Sequence, residues 1–412
     1  VDELVSVLPA MFALLMTWWA FYPVERLLLE ASLIRKLDDG SPVYPPLTRW
    51  RYVLVQARMQ VLLTLVPVLA IAGISEVIDE VWLMWNIGAA GGDGLGGWAG
   101  GREFVTIAAA AGVFLFSPLI ARSVLDTQSL PAGPLRETLS DVCRRHRVGV
   151  RDLLLWNTNG SMINAAVMGL VAPLRFVLIT DALLETLRES EVRAVMAHEV
   201  GHVRRRHMVW LILCLLACMF LAQHLIEWPL RVSYAMWPVP ASWFEPLSIA
   251  TAILQLSIAL LVFGWVCRRF ERQADTFAVQ HLSGMGTAAG RGANVSIESV
   301  DAMRGALETI AVLNTIDPAR HSWRHGSIRW RQRYLDSIIG KPIAALPIDR
   351  LIHVVKAAAF LILAAGIAYE SFGREPNHGD SHIEVDAGAF IQRQHASPLQ
   401  NASDVQRMEA AS

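Results

Sequence analysis

The stretch "RAVMAHEVGHVRRRHMVWLILCLLACMFLAQ", residues 193–223, brings three histidines into ten residues and then continues for sixteen residues without a charge. Its first half reads as a helix, its Arg-rich end as the cytoplasmic flank of a membrane span, and its second half as the span itself. A helix bearing candidate metal-binding side chains is therefore expected at a bilayer surface. The rest of the chain is read outward from that junction.

Of 412 residues, 54% are hydrophobic and 18% are charged, more apolar surface than a soluble chain of this length needs. Runs approaching the hydrocarbon thickness occur at residues 4–22, 59–74, 104–120, 208–226, 247–267 and 351–369. The first reads as a retained span, because no basic segment precedes it and no A-x-A-like site follows. The last carries His353 and Lys356 near one end, where the lysine can snorkel to the interface. A net charge of −1 argues against nucleic acid as a partner. Lysine occurs only at Lys36, Lys341 and Lys356. This preference for arginine points toward a GC-rich bacterial genome and an inner (cell) membrane. Cys143, Cys214, Cys218 and Cys267 form no CxxC pair, and Cys214 and Cys218 read as small apolar residues within a span.

Loop charge sets the orientation. Residues 23–58 carry Arg26, Arg35, Lys36, Arg49, Arg51 and Arg58, whereas residues 75–103 carry Glu76, Asp79, Glu80, Asp93 and Glu103 against Arg102. The first loop is then cytoplasmic and the second outside. Alternation puts residues 122–207 and 268–350 on the cytoplasmic side, with 227–246 and the polar tail outside. The expected organisation is a membrane region of about three spans (1–122) and a mainly cytoplasmic region (123–350) interrupted by a membrane hairpin (208–267). A C-terminal span (351–369) and a tail that reads as disordered (370–412) follow.

Inside the cytoplasmic region the pattern predicts a helix over 134–146 and strands at "DLLLWN", "INAAVMG" and "RFVLIT". Helices open at Asp181 and Ser190, the second with Arg193 rather than a capping-box Glu at its third position. A helix over 268–282, a flexible insertion "SGMGTAAGRGANVS" and a helix over 299–313 complete the region. "GDGLGG", residues 92–97, satisfies GxGxxG, but no strand leads in and no helix of a βαβ unit follows, so it reads as a loop.

His198-Glu199-Val200-Gly201-His202 is an HExxH motif on the predicted helix. Residues four apart differ by about 40° around an α-helix, so both imidazoles project from one face and can grip one ion. Glu199 falls beside them, placed to take a proton from a water that zinc activates. His207 lies five residues beyond His202, about 140° around a continuous helix, and reads as an interfacial residue rather than a ligand. Glu227 would be some 37 Å up the next span and is excluded as third ligand. The chain re-enters the cytoplasm at "RRFERQADTFA", residues 268–278, which returns Glu271 to nearly the depth of His202. Glu271 and Asp275 share a helical face, suggesting Glu271 as ligand and Asp275 as acceptor for a ligand imidazole N–H.

The segments "VLITDALLETLRESEVRAVMAHEVGHV" and "FERQADTFA" resemble the membrane zinc metallopeptidases comprising CAAX prenyl proteases and HtpX-type heat-shock proteases. In that family HExxH and an E-x-x-A-D segment flank a transmembrane hairpin. The resemblance implies one zinc ion held by His198, His202 and Glu271, with Glu199 as general base and acid. It extends to "INAAVMG", so that Asn164 and Ala165 would lie on the edge strand that pairs with extended peptide. It also extends to "HGSIRWR", with His325 as a stabiliser of the oxyanion, Arg331 at the matching position and Gly326 where the family has proline.

The expected protein is an integral-membrane, mainly α-helical chain with a small cytoplasmic α+β zinc-metallopeptidase domain. Its partners would be a peptide or membrane-protein substrate and the lipid bilayer. Two substrate classes compete, prenylated C-termini and misfolded or regulatory membrane proteins, with the span count favouring the second. A catalytically silent receptor or scaffold on the same fold is the rival reading, and the intact ligand set argues against it.

Overall fold

The computed structural model describes residues 2–38, 46–88, 99–160, 162–237, 240–287, 290 and 292–372. The "GDGLGG" stretch and the tail beyond Phe372 lie outside the described residues. The described residues up to Leu363 form one compact unit.

The chain is mostly helical. Helix α1 runs over Asp2–Asp38. Helix α2, Arg49–Gln56, passes through a π turn at Ala57–Leu62 into α3, Leu63–Gly88, and α4 spans Ala99–Val124. Among the described residues five helical segments are long and apolar enough to cross a membrane: Arg49–Met84, Gly101–Val124, His207–Leu230, Phe244–Leu282 and Pro347–Tyr369. The expected run at 4–22 lies in α1, which is not among the five.

After α4 come strand β1 (Thr127–Ser129), α5 (Pro134–Arg145), β2 (Asp152–Trp156), β3 (Ala165–Met168) and β4 (Phe176–Thr180). They form one sheet in the order β1-β2-β4-β3, with β2 and β4 parallel and the two outer pairs antiparallel. β4 is buried along its whole length, and its alternate residues face opposite ways. Val177 and Ile179 join the main core with Leu139, Leu183, Met196, Ala197 and Phe277. Phe176 and Leu178 pack the other way with Leu125 and Leu154, against Leu119 of α4 and Met59 of the π turn. The sheet is thus held between the site helices and the ends of the membrane helices, with β3 left as an edge.

Helices α6 (Asp181–Thr186) and α7 (Glu189–Arg204) follow β4. α7 starts one residue before Ser190, with Arg188 as N-cap and Glu191 at its third position. The Glu191 carboxylate accepts the Arg188 backbone N–H at 3.0 Å, so the capping Glu that the Ser190 start denied is present after all. Arg206 then takes a left-handed conformation, φ 56°, which breaks the helix and starts α8 (His207–Met236) in a new direction.

Helix α9 runs unbroken over Phe244–Leu282. Its 39 residues measure roughly 58 Å, about twice the hydrocarbon thickness of a bilayer. The first half exposes Ile249, Ile253, Leu256 and Leu261, as a lipid-facing span would. The second half buries Phe270, Gln273, Asp275, Phe277 and Gln280. One rigid rod therefore serves as span and as a wall of the core. Helices α10 (Ile297–Leu313), α11 (Ile328–Asp336) and α12 (Pro347–Phe372) complete the fold. Ser296 and Ser327 cap α10 and α11, accepting the backbone N–H groups of Ser299 and Trp330 at 3.2 Å. The Gly-rich stretch before α10 forms turns in its described part. It is pinned by the Val295 N–H to the Lys341 carbonyl and by the Gly340 N–H to the Val295 carbonyl, both at 2.9 Å. All four cysteines are buried and free.

Candidate metal centre

Helix α7 turns His198 and His202 to one side and leaves their Nε2 atoms 3.2 Å apart. α9 brings Glu271 opposite, with Oε1 3.7 Å from His202 Nε2 and Oε2 3.8 Å from His198 Nε2. One donor atom from each residue lies within 4.8 Å of the other two. A tetrahedral zinc ion with bonds of about 2.0–2.1 Å spaces its donors roughly 3.4 Å apart, so this triangle is close to the size zinc requires.

The hydrogen bonds behind the imidazoles agree. His198 Nδ1 is 2.9 Å from Asp275 Oδ1, and His202 Nδ1 is 3.0 Å from His207 Nδ1. Imidazoles protonated at Nδ1, toward Asp275 and His207, would present their Nε2 lone pairs to each other, the tautomers that zinc binding requires.

Asp275 is fully buried. It is held by Arg331, whose Nε and Nη2 donate to its two oxygens at 2.7 and 2.5 Å. Arg331 Nη1 also lies 3.6 Å from Glu271 Oε2, so one guanidinium steadies both carboxylates. Burial works against a charged His198, but the hydrogen bond and charge of Asp275 override it and raise that pKa. Burial lowers His202 to about 4, keeping it neutral as a ligand must be.

Glu199 is partly buried beside the triangle, and its Oε2 accepts the Val167 N–H at 3.2 Å. Burial pushes its carboxyl up to about 7; the Glu271 charge adds to this, while His198 and the Val167 N–H pull back. His325 stands at the rim, 54% exposed, with Nδ1 3.2 Å from Glu271 Oε2. Gly326 has φ 75°, which proline cannot adopt and glycine adopts most readily, so the turn beside His325 excludes proline here.

Two sequence expectations need correction. Asn164 does lie at the edge strand, but its backbone is turned inward. Its N–H donates to Thr180 Oγ1 at 3.0 Å and its carbonyl accepts the Thr180 N–H at 3.1 Å. Antiparallel alternation then aims the backbone groups of Ala165 and Val167 outward, toward Glu199. Val167 was missed, although the two-residue period from Ala165 contains it.

The second correction concerns His207. It is 1% exposed, stacks on Phe270 at 4.7 Å and touches His202, so it is not an interfacial residue. The 140° estimate assumed a continuous helix, and the left-handed Arg206 removes that premise.

Gly201 lets α7 and α9 approach. A Cβ there would lie 3.1 Å from the Phe277 side chain. Overpacking costs about 1–3 kcal/mol, against a helix-propensity gain of about 1 kcal/mol for alanine. Gly201→Ala is therefore expected near neutral. Gly201→Val should lower the thermal midpoint by several degrees and weaken zinc retention, both measurable on the purified protein.

The profile of peptidase family M48 matches residues 134–320, a segment that contains His198, Glu199, His202, Glu271 and Asp275. These residues lie in the segment that is similar to peptidase family M48. The chain is thus a membrane protein carrying a metalloprotease-family segment, and zinc is the usual metal of M48 peptidases. A CAAX prenyl protease 1 homolog from Arabidopsis thaliana is 28% identical to it over 181 residues, covering 40% of this chain. The matched part spans 41% of that relative's length. The crystal structure of S. mikatae Ste24p aligns over 77% of this chain and 82% of that one, at 15% identity and a TM-score of 0.39. The M48 segment ends before His325 and Arg331, which reach the site from the following loop and α11.

Proposed function

We propose that this protein is a membrane-embedded zinc endopeptidase that cleaves peptide bonds of membrane-associated or lipidated proteins. The observation that carries the proposal is the His198–His202–Glu271 triangle beside Glu199 and the open edge of β3. Bound zinc would supply a Lewis acid that polarises the scissile carbonyl and acidifies water.

The chain's own residues do the rest. An extended peptide adds to β3 through the outward backbone groups of Ala165 and the Val167 carbonyl, the Val167 N–H being held by Glu199. Glu199, near pH 7 in affinity for its proton, takes one from the attacking water and delivers it to the departing amine nitrogen. His325 donates to the oxygen that gains charge as the carbonyl becomes tetrahedral. Asp275 and Arg331 keep His198 and Glu271 in place. The purified full-length protein is expected to cleave casein, to stop on addition of phenanthroline and to recover with zinc. Casein cleavage that persists after complete zinc removal would overturn the reading.

In this reading residues 1–122 and 351–369 are membrane region, and 123–350 is the catalytic region interrupted by the hairpin. The site faces the cytoplasm of a bacterial cell. Single cysteines at Gly101 and Ala319 in a Cys-free background test that orientation. In intact cells an impermeant thiol reagent should label the first and spare the second. The opposite pattern would move the site outside.

A further inference from the structure

The two ligand histidines are anchored differently. His198 reaches a carboxylate directly. On its Nδ1 side His202 reaches one, Asp349, only through two further side chains, His207 and Gln273, on a path that crosses three other helices. His207 Nδ1, at the start of α8, is 3.0 Å from His202 Nδ1. His207 Nε2 is 3.0 Å from Gln273 Oε1 on α9, and Gln273 Nε2 donates to Asp349 Oδ1 on α12 at 2.7 Å. Asp349 also lies 3.2 Å from Arg205 Nη2, at the end of α7, and accepts from Gln280 Nε2 at 3.3 Å.

The proton positions follow from the far end. A carboxylate only accepts, so the Gln273 amide turns its NH2 to Asp349 and its oxygen to His207. That oxygen needs an N–H, which places the His207 proton on Nε2. His207 Nδ1 is then a lone pair and takes a proton from His202 Nδ1. His202 is left with its lone pair on Nε2, the atom that faces His198 and Glu271. Every link has one consistent direction, and the chain ends on an Asp–Arg pair, as the short chain from His198 does. Lys356 of α12 adds a second tie, donating to the Arg205 carbonyl at 3.0 Å.

We infer that His207, Gln273 and Asp349 are positioning residues that lock the tautomer and ring orientation of His202. The first turn of the C-terminal membrane helix α12 would thus be a structural strut of the metal centre. The inference rests on the proposed zinc site. Partners of this kind typically contribute 10–100-fold in metal affinity.

The test is zinc affinity of the full-length protein by chelator competition, with cobalt substitution to report ligand geometry by its visible absorption. His207→Phe keeps a ring stacked on Phe270 but removes both nitrogens. It should weaken zinc about 10–100-fold and alter the cobalt spectrum, with the unfolding midpoint of the metal-free protein unchanged. Gln273→Leu should cost as much, and the double variant no more than either alone. Asp349→Asn, which still accepts from Gln273, should lose less. Unchanged zinc affinity in both His207→Phe and Gln273→Leu would overturn the relay, as would additive losses or losses matched by collapse of the metal-free protein. Absence of stoichiometric zinc from the wild type would instead sink the proposed function.

Discussion

Glu199→Gln should leave zinc bound at full stoichiometry and reduce peptide hydrolysis by about 10²–10⁴-fold, toward the upper end. None of the three donor atoms belongs to Glu199, so the site keeps its shape. The amide oxygen of Gln can still accept the Val167 N–H that the carboxylate accepts at 3.2 Å, so the local fold is preserved. What disappears is a group able to take a proton near neutrality, a property that burial has given this carboxyl by raising it to about 7. Measurement of kcat together with metal content separates the two effects. Near-normal turnover would remove Glu199 from the mechanism, and lost zinc would make it part of the metal's support instead.

Glu271→Ala and Asp275→Asn should fail in different ways. Glu271 contributes one corner of the donor triangle, and its removal leaves two imidazoles. That variant is expected to lose zinc on dialysis and to show no measurable cleavage, while remaining folded. Asp275 is fully buried between His198 and a two-pronged Arg331. Asn there can still accept from His198 but takes the nearer of its two counter-charges from the guanidinium, leaving Glu271 at 3.6 Å. Breaking a buried pair costs about 3–5 kcal/mol, so the main loss should be in thermal stability. Zinc affinity should fall about 10–100-fold and remain measurable. Metal stoichiometry by mass spectrometry and thermal unfolding, run on both variants after identical dialysis, test the assignment. Retained zinc in the Glu271 variant and lost zinc in the Asp275 variant would reverse the two roles.

Comparison of residues shows why some of this was legible in the amino-acid sequence. The pairing of His198 with His202 depends only on helical geometry over four residues, which tertiary packing does not alter. Glu271 was reachable because α8 and α9 form a hairpin, and a hairpin returns the chain to the same depth. The strands "DLLLWN", "INAAVMG" and "RFVLIT" and the helix over 134–146 were visible for the same local reason, since apolar period and β-branching act over a few residues. β1, three residues long, carries too little pattern to be seen.

By itself, then, the sequence determined most of the elements, five of the six apolar runs and the three residues of the His198–His202–Glu271 triangle. Each follows from spacing along a helix or from the length of an apolar run. Only the tertiary structure decided which groups stand behind that triangle. One left-handed residue, Arg206, redirects His207 from a predicted outward face into contact with His202. Arg331 meets Asp275 across 56 residues, and Asp349 meets Gln273 across 76. Val167 reaches Glu199 only because β3 is an edge that runs beside α7. Such contacts are made by close packing between distant segments, where a shift of one ångström makes or loses a hydrogen bond, and no local period records them.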